Sequence, residues 1–144
     1  MAAGEPIRRT PQRTAILEQL RSARAHPTAD QLYETVRDIL PRVSLATVYR
    51  NLQLLANRGV IRKLCPGEGP MRFDAEPSPH RHIYCVRCGR VEDVDGGPPQ
   101  VAQPEVEKST GYRILGCELI IHGCCPDCCT GTDTISVGPV GESD

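Results

Sequence analysis

Four of the eight cysteines in this 144-residue chain fall into two CxxC pairs, Cys85-Val-Arg-Cys88 and Cys125-Pro-Asp-Cys128. Each such turn places two thiolates on one side of an ion, and two turns complete the four-sulfur shell of a structural zinc site. Any fold that satisfies both pairs must bring together segments separated by 36 residues. A compact ribbon needs less, so the intervening chain has to carry structure of its own. Gly89, directly after Cys88, suits a left-handed position that turns backbone amides toward sulfur. Cys124 and Cys129 flank the second pair and read, with Cys65 and Cys117, as free thiols.

The surroundings of these cysteines narrow the chemistry. Met1-Ala-Ala-Gly-Glu-Pro6 lacks the basic-then-apolar order of an export signal, and no apolar run approaches the roughly 18 residues of a membrane helix. A cytoplasmic location is therefore expected, where dense cysteine points to metal or redox chemistry rather than to a disulfide scaffold. A thiol redox enzyme is the remote alternative. It calls for one CxxC in a strand–helix–strand setting, which this sequence does not offer, and no enzymatic activity is expected.

The net charge of −1 conceals a division. Residues 1–75 hold twelve Arg or Lys against seven Asp or Glu, a balance of +5, whereas residues 76–144 hold five against eleven, a balance of −6. Such asymmetry suggests halves with different partners, the basic one facing nucleic acid.

The basic half reads as three helices and a hairpin. Thr10-Pro11 opens the first, a capping hydroxyl followed by proline at the first helical position, with Ile16, Leu17 and Leu20 as its apolar stripe. Thr28-Ala-Asp-Gln31 is a capping box, and Leu32, Val36, Ile39 and Leu40 follow at helical spacing until Pro41. Ser44 caps a third helix, with Leu45, Val48, Leu52, Leu55 and Ala56 on one face and Gly59 at its end. Val60–Leu64 and Met71–Phe73, joined by a Gly/Pro turn, make a two-stranded hairpin. This order is a winged helix-turn-helix, whose third helix enters the DNA major groove. The outward face of that helix carries Thr47, Arg50, Gln53 and Arg58, with Tyr49 at its edge. Arg50 suits a guanine edge or a phosphate; Thr47 and Tyr49 suit phosphate or a thymine methyl. Arg13 joins this set, and Arg62, Lys63 and Arg72 are expected along the wing as backbone contacts.

The acidic half is expected to hold strands at 83–85 and 90–94 around the first cysteine turn. A turn at 96–99, a short helix over 101–110 and a strand over 112–121 then lead to the second. Two of the four histidines stand as His80-Arg-His82 just before Cys85. Alternate residues of a strand point to one face, so this pair can share an ion. Asp74 and Asp93 lie close by in sequence. A mixed imidazole and carboxylate set suits Fe²⁺, Mn²⁺ or Zn²⁺. His26, beside Pro27, reads on its own as a turn residue.

These motifs together resemble the ferric uptake regulator (Fur) family of metal-dependent repressors. The resemblance rests on Thr10-Pro-Gln-Arg13, His26-Pro-Thr-Ala-Asp30, Ser44-Leu-Ala-Thr-Val-Tyr-Arg-Asn-Leu52, Arg72-Phe-Asp74, His80-x-His82-x-x-Cys85-x-x-Cys88-Gly89 and Cys125-x-x-Cys128. They cover roughly residues 8–128 in family order. It implies an α+β chain: a winged-helix DNA-binding domain over 1–75, a hinge at 76–79 and an α/β dimerisation domain over 80–129, whereas the tail over 130–144 has no counterpart in the family and reads as flexible. The resemblance implies a homodimer on double-stranded operator DNA, an inverted repeat, with one structural Zn²⁺ per subunit on Cys85, Cys88, Cys125 and Cys128. The peroxide-sensing branch is the nearest match. Its regulatory Fe²⁺ or Mn²⁺ site carries over onto His26, Asp74, His80, His82 and Asp93, with Glu92 next door as the other candidate for the last position. A second metal site found in some relatives is not expected, because Arg81 stands between the paired histidines and Cys117 replaces a histidine.

The ligand origins suggest a switch, since His26 and Asp74 come from the basic half and the other three from the acidic half. One ion would tie the halves across the hinge, where Pro77 and Pro79 limit swivel. Moving such a switch from mostly open to mostly closed takes about 5.5 kcal/mol of differential affinity. The resemblance further implies that peroxide acts with Fe²⁺ to oxidise His26 or His80 and release DNA. An iron- or zinc-uptake regulator using the same site is the alternative.

Overall fold

The computed structural model describes residues 6–66, 69–98 and 100–129. The expected tail over 130–144 lies outside these, as does Pro99 of the expected 96–99 turn.

Three helices open the chain: α1 (Pro11–Ser22), α2 (Ala29–Ile39) and α3 (Leu45–Asn57). Their starts are set by side chains that accept otherwise unpaired amides. Thr10 Oγ1 accepts from Arg13 N at 3.3 Å, and Ser44 Oγ accepts from Thr47 N at 3.1 Å. At α2 the capping box is complete: Gln31 N donates to Thr28 Oγ1 at 3.2 Å, and Thr28 N donates to Gln31 Oε1 at 3.0 Å. Gly59, at φ +71°, lets the chain leave α3 in a left-handed turn that a β-carbon would strain.

Strands β1 (Arg62–Leu64) and β2 (Arg72–Asp74) pair antiparallel, Lys63 opposite Phe73, and form the wing. Ile16, Leu20, Leu32, Val36, Val48, Leu52 and Leu55 from the helices pack with Ile61 and Phe73 in one core. Burying each large aliphatic side chain contributes roughly 1.5–3 kcal/mol, which welds the wing to the helices.

The second unit is a three-stranded sheet of order β4-β3-β5, with β3 (Arg81–Cys85) in the middle. β4 (Val91–Val94) runs antiparallel to β3, and β5 (Leu119–Gly123) runs parallel to it. A parallel neighbour requires a crossover, and α4 (Gln103–Thr110) lies on that connection. The strand expected over 112–121 begins only at Leu119. Residues 112–118 have no ladder partner among the described residues, and Leu115 is 93% exposed. Residue pattern alone cannot make a strand where no neighbour completes the hydrogen bonds.

Candidate metal centre

Five side chains converge where the wing meets the sheet. His26 sits on the connection from α1 to α2, Asp74 ends β2, and His80 immediately precedes β3. His82 lies within β3 and is paired in register with Asp93 of β4. One donor atom from each lies within 4.8 Å of every other. Asp93 Oδ1 is 2.7 Å from His26 Nε2 and 2.8 Å from His80 Nε2. Asp74 Oδ2 is 2.8 Å from His80 Nε2 and 2.9 Å from His82 Nε2. His26, Asp74 and His82 are buried, His80 is partly so, and the Asp93 side chain is 55% exposed at the mouth. Glu92 points elsewhere: its carboxylate lies 3.3 Å from Arg90 Nε.

The backbone holds His26 from two sides. Its amide donates to Val91 O at 2.9 Å, and its carbonyl accepts from Arg72 Nη1 at 2.8 Å. Phe73 N donates to Pro27 O at 3.0 Å. The imidazole therefore has little freedom of approach. His80 is oriented by its other nitrogen, since Nδ1 lies 2.7 Å from the carbonyl of Ser78, which can only accept. With the proton on Nδ1, a neutral His80 presents a bare lone pair at Nε2 to two carboxylate oxygens. Electron pairs in that arrangement repel unless a proton or a cation lies among them. An Nδ1–H bound to a carbonyl is also the usual partner of an imidazole that ligates through Nε2.

Protonation behaviour agrees with that geometry. Burial pushes the Asp74 carboxyl up, but the His82 hydrogen bond, the Glu76 amide and the nearby His26 and His80 outweigh it, leaving it below its ordinary value. Burial pulls His80 down, yet the Ser78 carbonyl, Asp74 and Asp93 raise it above its ordinary value. The site thus concentrates negative charge and favours cations. Three imidazoles and two carboxylates, a mixed nitrogen and oxygen set, fit a divalent ion such as Fe²⁺ or Mn²⁺.

The sulfur cluster lies at the far end of β3. Cys85, Cys88, Cys125 and Cys128 bring their sulfurs within 4.8 Å of one another. Cys88 Sγ and Cys125 Sγ are 3.8 Å apart, close to the edge of a tetrahedron whose centre lies about 2.3 Å from each sulfur, the zinc–thiolate distance. Gly89, at φ +78°, closes the first turn by donating to Cys85 O at 2.9 Å, and Cys125 N points at Cys85 Sγ at 3.3 Å. Burial pushes the Cys85 thiol up, but the amides of Cys88, Cys125 and Arg87 outweigh it and bring it down to about 6. Hydrogen bonding to Cys125, with burial, pushes Cys128 up to about 12. The group releases its first proton readily and holds its last, unless a cation takes that proton's place. The set fits zinc.

Two expectations need correction here. Cys124 and Cys129 are not free thiols: they form a disulfide, with Cα atoms 5.8 Å apart. Closing the turn over 125–128 brings the residues just outside it face to face, a proximity that their positions in the chain conceal. Cys65 and Cys117 do remain unbridged. Arg72 is not a wing contact for DNA, because it is buried and its guanidinium points inward to His26 O and Gln31 Oε1. Alternation in a three-residue strand does not fix which residue turns inward when both flanks are covered.

The proposed DNA-facing residues are spread over α1, α3 and β1. Tyr49, Arg50, Gln53 and Arg58 are exposed, whereas Thr47, Arg13, Arg62 and Lys63 are partly buried. Thr47 Oγ1 sits 2.9 Å from Ser44 Oγ and accepts from Arg50 Nη2 at 3.3 Å. Arg13 donates from Nε to Asn51 Oδ1 at 3.0 Å, joining α1 to α3. Tyr49 donates to Asp30 Oδ2 at 3.4 Å.

Comparison with known proteins places this arrangement in a wider group. The sequence model of the ferric uptake regulator family matches residues 5–122. The chain is 37% identical over 122 residues to the peroxide operon regulator of Bacillus subtilis, covering 85% of this chain and 84% of that one. It is likewise 37% identical over 124 residues to the peroxide-responsive repressor PerR of Staphylococcus aureus, covering 85% and 82%. Among solved structures, the Campylobacter jejuni peroxide stress regulator superposes with a TM-score of 0.65 at 28% identity, over 85% of this chain and 89% of that one. With its winged helices, its three-stranded sheet and both metal-type clusters in family order, the chain belongs to the ferric uptake regulator family.

Proposed function

We propose that this protein is a metal-dependent DNA-binding repressor that senses hydrogen peroxide through the histidines of its His/Asp centre. The observation that carries the reading is the five-donor cluster, which draws His26 and Asp74 from one half of the chain and His80, His82 and Asp93 from the other. The peroxide-responsive character of the relatives named above supports it. Regulation of transcription, rather than catalysis, is the role it assigns.

His26, Asp74, His80, His82 and Asp93 would hold Fe²⁺ or Mn²⁺, and Cys85, Cys88, Cys125 and Cys128 would hold one zinc per subunit. Bound Fe²⁺ would supply the peroxide chemistry that oxidises a neighbouring imidazole. The protein's own part is positional. The segment over 76–79 acts as the hinge, with Pro77 and Pro79 restricting its swivel. Drawing His26 and Asp74 against β3 and β4 fixes the angle between the winged half (1–75) and the sheet half (80–129). An oxidised His26 or His80 binds poorly, and the halves are released.

The DNA is double-stranded, read by Arg50 and Tyr49 on α3, with Thr47, Arg13, Arg62 and Lys63 against the phosphates. A homodimer places two such helices on an inverted repeat, one helical turn apart. Support for a second copy comes from the second unit itself: α4 buries none of its residues, and Val101, Val106, Leu115, Leu119 and Ile121 are all exposed. No helix among the described residues is long and apolar enough to cross a membrane.

Mass spectrometry after treatment with Fe²⁺ and hydrogen peroxide tests the chemistry. One added oxygen on the peptide carrying His26 or His80 is expected. Unmodified histidines in protein that has nevertheless released its DNA would refute it.

A further inference from the structure

Arg72 is the one strongly basic side chain of the wing that the fold draws inward, being only 7% exposed. Its guanidinium lies between the His26 carbonyl and the turn at Gly89. On one side Nη1 donates to His26 O at 2.8 Å and approaches Gln31 Oε1 at 3.4 Å, the same oxygen that caps α2. On the other, Nη2 lies 3.7 Å from where a β-carbon on Gly89 would stand, against the turn that carries Cys88. Nε is buried with no partner among the described residues, so the residue is held inside although its hydrogen bonds there are incomplete. Burial disfavours its charge, and the ionisable groups among the described residues that favour it are Cys88 and Tyr84. A buried guanidinium needs a compensating negative charge, and a zinc tetrathiolate provides one through its net negative charge.

We propose that Arg72 is a positioning residue that links the two centres, setting His26 in place from a guanidinium anchored against the Cys88–Gly89 turn. This rests on the reading of the five-donor cluster as a metal site. The hydrogen bonds of Arg72 among the described residues go to the His26 carbonyl and to Gln31, not to a ligand side chain. Arg72 acts through the His26 carbonyl, as outer-shell groups do when they orient a ligand. The arrangement makes formation of the His/Asp centre depend on an intact sulfur cluster, because the turn that Arg72 leans on is shaped by Cys85 and Cys88.

The test compares zinc-loaded wild type with Arg72→Met and Arg72→Lys. Mn²⁺ affinity is measured by calorimetry, and amide hydrogen exchange is measured on protein without Mn²⁺. Arg72→Met is expected to weaken Mn²⁺ binding about 10–100-fold, the range for outer-shell partners, while zinc content stays at one per chain. Arg72→Lys keeps the charge and should recover part of the loss. Exchange should quicken together at the His26 amide, bonded to Val91 O, and at the Gly89 amide, bonded to Cys85 O, and stay unchanged within α3. Unaltered Mn²⁺ affinity in folded Arg72→Met would overturn the proposal, as would loosening at only one of the two amides. Quickened exchange throughout the chain in both variants would also overturn it, by reducing Arg72 to a stability role. If wild type itself binds no Mn²⁺, the reading of the cluster fails, while the exchange pattern still decides whether Arg72 links the two turns.

Discussion

Replacing Asp93 with Asn separates metal binding from folding more cleanly than any other change in the cluster. Its side chain is 55% exposed, whereas His82 and Asp74 are 0% and 4% exposed and would leave a cavity or an unpaired buried group. Without Mn²⁺, Asp93→Asn should therefore cost no more than about 1 kcal/mol, the worth of a half-exposed carboxylate paired with His26 and His80. With Mn²⁺ the two should part. At a concentration about 1,000 times its dissociation constant, a ligand specific for the folded state adds about 4.1 kcal/mol. The Asp93 oxygen lies under 3 Å from both His26 Nε2 and His80 Nε2, so its charge is central to the donor set. Taking a hundredfold loss of affinity, the upper end for even an outer-shell partner, the same Mn²⁺ would add only about 1.4 kcal/mol. At roughly 4 °C per kcal/mol for a chain of this size, thermal scans should show a Mn²⁺-induced rise of about 16 °C falling to about 6 °C. Glu92→Gln is the control, since that carboxylate faces Arg90, and it should behave as wild type. Equal Mn²⁺ shifts in wild type and Asp93→Asn would refute the assignment, and a loss in Glu92→Gln instead would move the ligand one residue along.

Arg50→Ala should lower operator affinity by about 1–3 kcal/mol, read by fluorescence anisotropy, and leave Mn²⁺ affinity unchanged. Opening the Cys124–Cys129 disulfide, by changing both residues to Ser, should cost about 2 kcal/mol of stability, the chain-entropy value for a loop of about six residues. Chemical denaturation of the zinc-loaded protein measures it. Without Mn²⁺, stability should follow the two displaced groups of the His/Asp centre. The Asp74 contribution is present above its ordinary value of 3.8 and is lost as pH falls through its lower folded value. The His80 contribution is present below its ordinary value of 6.5 and is lost as pH rises through its higher folded value. Thermal scans across pH should thus weaken at both ends, and Mn²⁺ should restore the alkaline end, because ligation requires a deprotonated imidazole.

Much of this architecture can be read from the chain because it is written locally. Thr10, Thr28 and Ser44 announce their helices within three residues, and the two CxxC turns carry their chemistry in their spacing. His80 and His82 share a site for the same local reason. His26 is different. Its role depends on a contact with β4 that lies 65 residues away, so only the family pattern, not the residue's own surroundings, marks it. Arg72 and the Cys124–Cys129 pair escaped for a related reason. Each is defined by what the folded chain lays against it, a turn closing in one case and a second covering layer in the other. The region over 112–118 reads as strand from its residues, but a strand also needs a neighbour.

Operator binding by protein loaded with Fe²⁺ or with Mn²⁺, each measured before and after brief exposure to micromolar hydrogen peroxide, tests the central claim most directly. Both forms should bind beforehand. Afterwards the iron form should release DNA and stay released when fresh Mn²⁺ is added, because its histidines are altered, while the manganese form remains bound. Retention of DNA by the peroxide-treated iron form, with release only on removal of the metal, would contradict peroxide sensing and leave a regulator of metal concentration.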